Sequence, residues 1–258
     1  MIDAAFERRA ARAQALAARA DAGREVLTFA AGLLRAQGRM AAAIGEMDRR
    51  LPLTGRLGDD APRILEAGSE LLSFAAGSSL AGLEARPTEA DLVAYWSGHT
   101  DAYMPRALLR PYVEMLARVK VAPEARPRSA GCPFCGGAPW ISVRRPAAEG
   151  EGAARSLACA LCGTEWPLAR VRCPACSETD PERLPSFSSE SHASARIEAC
   201  ESCRRYVKSI EAGRDAGAIP EVDDLLSLAL DLWAHEQGLQ RLEPGLAGYL
   251  HWNPTEPS

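Results

Sequence analysis

No cysteine of this 258-residue chain lies outside a C-x-x-C pair. Thiols confined to such pairs are not filling a core at random. No apolar run approaches the roughly 20 residues of a membrane-spanning helix, so membrane insertion is not expected. An excess of basic residues is missing too. Thirty Lys and Arg stand against 34 Asp and Glu, for a net charge of −4, which speaks against nonspecific nucleic-acid binding. At the amino terminus, Arg8-Arg9 is followed by more Ala and Arg rather than by an apolar stretch. Asp3, Glu7, Asp21 and Glu25 are wrong for a transit peptide. A cytoplasmic protein with reduced thiols is expected, and 47% hydrophobic residues suffice for a packed core.

All 8 cysteines fall in four pairs: CPFC at Cys132/Cys135, CALC at Cys159/Cys162, CPAC at Cys173/Cys176 and CESC at Cys200/Cys203. The first four recur as the last four after a displacement of 41 positions, with the same 23-residue gap inside each set. A period of this size marks a duplicated structural unit. Two thiolates three positions apart fit a tight turn whose N–H groups point at the sulfurs. Two such turns offer a tetrahedron of sulfurs, suited to zinc or to a single iron. The duplication favours two closed sites, Cys132/Cys135/Cys159/Cys162 and Cys173/Cys176/Cys200/Cys203. A cross-braced pairing of the first turn with the third would break the repeat, and four disulfides would need an oxidising compartment. A closed four-cysteine site leaves no position for a reacting water, which argues against a hydrolase.

Residues 1–120 read as an all-α domain. Apolar residues recur at helical spacing in Val26, Leu27, Ala30, Leu33 and Leu34, in Ile64, Gly68, Leu71, Leu72 and Ala75, and in Leu109, Tyr112, Leu116 and Val119. Residues 1–26 read as a surface helix. Thr88 and Asp91 form a capping box before Leu92, Val93 and Trp96. Residues 51–62 read as a loop, with Asp60 as a cap before Pro62. Residues 121–131 form a linker in which Pro123 and Pro127 stop a helix. The first four-cysteine unit spans 132–170 and the second 171–212. Strands are expected at Trp140–Arg144, Arg155–Ala158, Trp166–Val171, Arg196–Ala199 and Tyr206–Ile210, with hairpin loops at 146–154 and 188–194. Residues 213–258 hold a last helix and a tail, loose beyond Trp252. Pro220 fits the helix's first turn and Gly238 its end. Val222, Leu225, Leu226, Ala229, Leu232 and Trp233 make its apolar face, and Asp224, Asp231 and His235 a solvated one.

Arginine and lysine are dense around the cysteines. Four thiolates on a divalent ion carry a net charge of about −2, which basic neighbours offset. The same residues would also suit an acidic partner. A docking surface is expected where helical domain and metal units meet, bordered by Arg170, Arg172, Lys208, Asp224 and Asp231. Trp166 and Tyr206 are either its apolar floor or covers for the metal sites.

The order CPFCGGAP, CALCGTEW, LARVRCPAC, RIEACESCRRYVKSI and VDDLLSLALDLWAHEQG resembles the FdhE family of formate dehydrogenase accessory proteins. The likeness spans about residues 105–240. It includes Glu165-Trp166, Arg170 and Arg172, Glu198, Tyr206-Val207-Lys208, Asp223-Asp224 and Leu230-Asp231. Residues 1–104 resemble the family mainly in helical character, and the ending LEPGLAGYLHWN departs from it. The resemblance implies an α+β fold, with the helical domain followed by two tandem rubredoxin-like units and a C-terminal helix. It implies two iron ions, with zinc as the alternative. It also implies a cytoplasmic, non-enzymatic role in maturation of respiratory formate dehydrogenase, binding the catalytic subunit before export. Homo-oligomerisation stays open. Two other classes compete: a rubredoxin-like electron-transfer protein and a zinc-ribbon module acting on nucleic acid, which the acidic balance disfavours.

Overall fold

The computed structural model describes residues 1–20, 22–77, 86–126, 131–146, 153–246 and 248. Six helices come first: α1 (Ala4–Ala17), α2 (Arg24–Arg50), α3 (Leu57–Ala67), α4 (Ser69–Ala76), α5 (Glu89–Trp96) and α6 (Tyr103–Val119). Asp3 caps α1 by accepting hydrogen bonds from the Ala5 and Phe6 amides at 3.0 and 3.4 Å. Phe6, Ala10, Ala13 and Ala17 lie on one face of α1 and are buried, mostly against α2. The amino-terminal helix is thus a core element with one polar side, and the surface-helix reading is corrected.

Two of the sequence expectations for this half change further. Residues 57–62 belong to α3 rather than to a loop. Asp60 lies inside its first turn, fully buried, where its carboxylate accepts from the Thr54 and Gly55 amides and the Tyr112 hydroxyl and pairs with Arg63. The apolar pattern from Ile64 to Ala75 is cut at Gly68 into α3 and α4. A Cβ there would stand 2.4 Å from Leu108 Cδ2, so the missing side chain lets α6 approach the break. The Thr88/Asp91 capping box is present. Pro111 sits within α6 and gives no N–H to Ala107, one turn back. The buried Gln37 of α2 fills the gap, donating from Nε2 to the Ala107 carbonyl at 2.8 Å.

Seven strands follow: β1 (Pro139–Pro146), β2 (Ala153–Cys159), β3 (Glu165–Pro167), β4 (Ser186–Ser188), β5 (Ala195–Cys200), β6 (Arg205–Glu211) and β7 (Gln240–Arg241). They form one sheet in the order β3-β2-β1-β6-β5-β4, with β7 beside β6. The 41-residue repeat is visible in its topology. Each unit is an antiparallel meander of three strands, β1-β2-β3 and β4-β5-β6. The units join head to tail: β1, the first strand of one, pairs in parallel with β6, the third of the other, from Ile141↔Lys208 to Arg144↔Glu211. β3 ends at Pro167, four residues before the expected end, and one further backbone bond, from the Leu168 amide to the Arg155 carbonyl at 3.2 Å, follows it. Most of the loop expected at 146–154 and of the linker's second half lies outside the described residues, as does the tail beyond Trp252.

The last helix is not continuous. α7 (Pro220–Asp223) passes through a 3₁₀ turn at Asp224–Ser227 into α8 (Leu228–Glu236). The tighter turn rotates the inner face. Val222, Leu225, Leu230 and Ala234 are buried, whereas Leu226 and Leu232 are exposed. Asp224 and Asp231, expected on the solvated side, are buried at 1% and 7% exposure. Beyond β7 the chain returns to the helical half: Tyr95 donates to Glu243, Arg106 to the Pro244 and Gly245 carbonyls, and Tyr103 to the Leu246 carbonyl at 2.6 Å. Among the described residues, no helix is long and apolar enough to cross a membrane.

Candidate metal centres

Each C-x-x-C pair folds the same way. The amide of the residue after the second cysteine donates to the carbonyl of the first: Gly136 to Cys132 at 2.8 Å, Gly163 to Cys159 at 3.2 Å, Ser177 to Cys173 at 3.1 Å and Arg204 to Cys200 at 2.9 Å. All four of those residues have positive φ, between 57° and 69°. In the first unit glycine takes this position at no steric cost, but in the second Ser177 and Arg204 take it. Three of the turns also aim an amide at the leading sulfur: Phe134 at Cys132, Leu161 at Cys159 and Ala175 at Cys173, at 3.3–3.4 Å. Gly137 matters for a different reason. A Cβ there would stand 2.8 Å from Cys159 Sγ and 3.2 Å from Cys135 Sγ, in the space the sulfurs need.

The turns bring together Cys132, Cys135, Cys159 and Cys162 as one group and Cys173, Cys176, Cys200 and Cys203 as another. Within each group all sulfurs lie within 4.8 Å of one another. The cross-braced alternative is not the arrangement found. The nearer separations are 3.4–3.6 Å in the first group and 3.6–3.8 Å in the second. A tetrahedron with metal–sulfur bonds of about 2.3 Å has sulfur–sulfur edges of about 3.8 Å. A disulfide would need about 2.05 Å. Both groups are of the size and donor chemistry that suit a zinc or iron ion, and each supplies four sulfurs, leaving no protein-side vacancy.

Charge argues the same way. In the first group the sulfur contacts from Cys135, Cys159 and Cys162 hold the Cys132 thiol well below the ordinary range. Contacts with Cys132 and Cys162, with burial, push Cys135 above it, and contacts with Cys132, Cys135 and Cys162, with burial, push Cys159 above it. Four thiols this close cannot all ionise unless a cation stands among them. In the second group burial pushes Cys203 up to about 12. The groups differ in surroundings. The first is wholly buried and continuous with the main core, beside Trp140 and Leu161. In the second, Cys176 is exposed and Cys203 half-exposed. If both groups fill, elemental analysis of protein prepared without oxygen finds two ions per chain. Fewer than one ion, with disulfides in their place, would contradict this.

The five residues expected at a docking surface separate into two sets. Arg170 and Arg172 are exposed. Lys208, Asp224 and Asp231 are not. Lys208, with no exposed surface, donates from Nζ to the Asp224 and Ser227 carbonyls at 2.9 and 3.2 Å and pairs with both Asp224 and Asp231. Arg241 completes the cluster at 2.9 Å from Asp224 and 3.1 Å from Asp231. Burial opposes the Asp224 charge, but Arg241 and Lys208 hold its pKa below the ordinary value. Tyr206 donates to Asp231 at 2.8 Å, and burial followed by that carboxylate pushes its phenol up. Tyr206 is therefore a buried member of this cluster, while Trp166 is half-buried against the first group's core.

Sequence reasoning missed Arg241, for β7 is only two residues long and carries no periodicity. It also missed the ionic seam between the halves. There Arg9 and Arg110 meet Glu114 and Glu221, and Arg12 meets Asp215 and Asp223. Arg155, expected as the start of a strand and one of many basic residues, has a larger part in the structure. It is buried, pairs with Glu198 at 2.7 Å, and donates to the Ala169 and Arg172 carbonyls at 2.9 and 3.1 Å.

Comparison with known proteins bears on this same region. A family model described as the FdhE central domain matches residues 131–170, and one described as the FdhE C-terminal domain matches residues 171–247. An FdhE homolog of Aquifex aeolicus is 36% identical over 118 residues, 46% of this chain and 41% of its own length. One of Pasteurella multocida is 41% identical over 123 residues, 48% and 38% of the two chains. The matched part thus spans about two fifths of these curated relatives. The crystal structure of the FdhE protein from Pseudomonas aeruginosa is similar at a TM-score of 0.68 and 26% identity, covering 95% of this chain and 96% of that one.

Proposed function

We propose that the chain, which FdhE family models match over residues 131–247 and which shares the fold of a solved FdhE protein, is a member of the FdhE family and a cytoplasmic accessory protein in the maturation of formate dehydrogenase. It binds the catalytic subunit and catalyses no reaction itself. The observation that carries this reading is the pair of closed four-cysteine groups on one sheet. Such groups supply folding energy and a fixed shape, and they offer no open ligand position for turnover. Both hold iron, zinc being the alternative that the same donors accept. Of the expected docking residues, the exposure of Arg170 and Arg172 supports a role in touching a partner. Lys208, Asp224 and Asp231 act from inside, holding α8 and β7 on the sheet behind that face.

Charge reversal at both positions, Arg170→Glu with Arg172→Glu, tests the assignment. Metal content and thermal unfolding stay at wild-type values, while capture of the formate dehydrogenase catalytic subunit in a pull-down falls at least tenfold, as expected for the loss of one or two charged contacts. Undiminished capture by a folded variant rules this face out as the docking site. One observation favours a second reading. The exposure of Cys176 brings a ligand sulfur to the surface, as electron exchange with a partner would require. A reversible potential with rapid reduction by a reductase would support it.

A further inference from the structure

A pocket of about 130 Å³ opens between the two repeats, beside Cys173 and Cys200. Its walls carry six arginines: Arg144, Arg155, Arg170, Arg172, Arg196 and Arg205. They arrive from four separate pieces of chain, namely β1, β2, the segment after β3, and the β5-β6 hairpin. Against them stand two carboxylates. Glu198 pairs with Arg144 at 3.3 Å and with Arg155, and Glu211 pairs with Arg144 at 3.4 Å and with Arg196. Arg170 and Arg205 have no carboxylate partner among the described residues, and Arg172 reaches only Ser177 Oγ, at 3.3 Å. Arg155 is a fixed strut in this arrangement. Its bonds to the Ala169 and Arg172 carbonyls pin the segment that carries Arg170 and Arg172 to the pocket rim.

We infer that this pocket is a binding site for a tetrahedral dianion of the phosphate class, either free or as a monoester. Three considerations select that chemistry. The volume is that of about four waters, well below the several hundred cubic ångströms of a pocket that encloses a drug-sized ligand. It therefore admits one anionic group with a few attached atoms. Arginines line it from four separate pieces of chain, and Arg170, Arg172 and Arg205 are the ones without a carboxylate partner among the described residues. A planar carboxylate is satisfied by one or two forks, whereas three phosphate oxygens accept from more. Finally, four thiolates around a divalent ion in the second group leave about −2 nearby. Together with Glu198 and Glu211 that charge still leaves about two guanidinium charges uncompensated, matching a dianion. Neutralising the metal group alone does not require so many arginines.

The test needs neither a partner nor the accessory role. Metal-loaded full-length protein is titrated calorimetrically with inorganic phosphate, phenyl phosphate and acetate at constant ionic strength. Arg170→Gln and Arg205→Gln serve as variants, since both side chains are exposed and their loss leaves metal content and thermal unfolding unchanged. Saturable binding of one phosphate per chain is expected, weakened roughly tenfold or more in each variant, as when one charge-assisted contact is lost. Tighter binding of phenyl phosphate identifies a monoester ligand, and equal binding identifies free phosphate. The inference is overturned by absence of saturation up to roughly 10 mM. It is equally overturned by unchanged affinity in both variants, or by acetate or a glutamate-rich peptide competing as well as phosphate, which would make the pocket a carboxylate site.

Discussion

Chelation of the metal-loaded protein is expected to release its ions in two phases. The fast phase belongs to the second group, where Cys176 is exposed and Cys203 half-exposed. The slow one belongs to the first, whose sulfurs are all buried in the core. A separation of roughly tenfold or more in rate corresponds to about 1.4 kcal/mol in barrier, a small demand on such a difference in access. A chromophoric chelator follows the two phases. Alkylation mapped by mass spectrometry reaches Cys176 first and Cys203 next. A single phase, or early labelling at Cys132, would contradict the assignment. Structural zinc sites contribute about 10–16 kcal/mol, as much as the 5–15 kcal/mol net stability of a typical domain, so losing an ion has consequences beyond its turn. Cys173→Ser is expected to raise amide exchange not only across 173–203 but also at Ile141–Arg144, because β6 is the partner of β1. Exchange confined to the second unit would show that the repeats fold separately.

Lys208→Met is expected to cost about 3–5 kcal/mol, the usual consequence of removing one partner from a buried ionic cluster. The substitution leaves Asp224 and Asp231 facing each other with Arg241 as their remaining cation, and takes the ammonium donor from the Asp224 and Ser227 carbonyls, the first of which keeps the Ser227 hydroxyl. Denaturant unfolding at fixed metal occupancy measures the loss. The double variant Lys208→Met/Asp231→Leu should be closer to wild type than Lys208→Met, since it removes charges in balance. Equal or greater loss in the double variant would mean that hydrogen bonds to the 3₁₀ turn, rather than charge pairing, carry the energy. The 3₁₀ turn is itself explained by this cluster: it turns the Asp224 and Ser227 carbonyls onto one ammonium group.

The cysteine frame made most of the metal region legible. A 41-residue displacement and matched gaps suggest two groups of four, and the structure brings those sulfurs together. Helical spacing found most of the first half because apolar stripes such as Leu27, Ala30 and Leu34 are long and regular. What escaped depends on contacts between residues far apart in sequence. Asp224 and Asp231 look like solvated acids on a helix because nothing local announces that Lys208 and Arg241 will meet them. Arg9, Arg12 and Arg110 look like surface charge for the same reason. Position 60 read as a cap because Asp before Pro favours one, and the carboxylate does bind backbone amides, but from inside the first turn of α3. The left-handed position after each knuckle was readable at Gly136 and Gly163. It was hidden at Ser177 and Arg204, whose side chains give no such signal.

The head-to-tail joint of the repeats also imposes an order in time. Ile141 lies against Lys208, so the inner edge of β1 has no partner until 67 further residues have left the ribosome. At about 5–20 residues per second that is roughly 3–13 s of synthesis. The first group is complete in sequence at Cys162 and can close early in this interval, leaving a folded hairpin with one open edge. The α1 arginines must wait longer still for Glu221 and Asp223. The nascent chain therefore passes through a stage in which its first four-cysteine group is closed and its sheet half-built, and α1, already able to meet Glu114, still lacks Glu221 and Asp223.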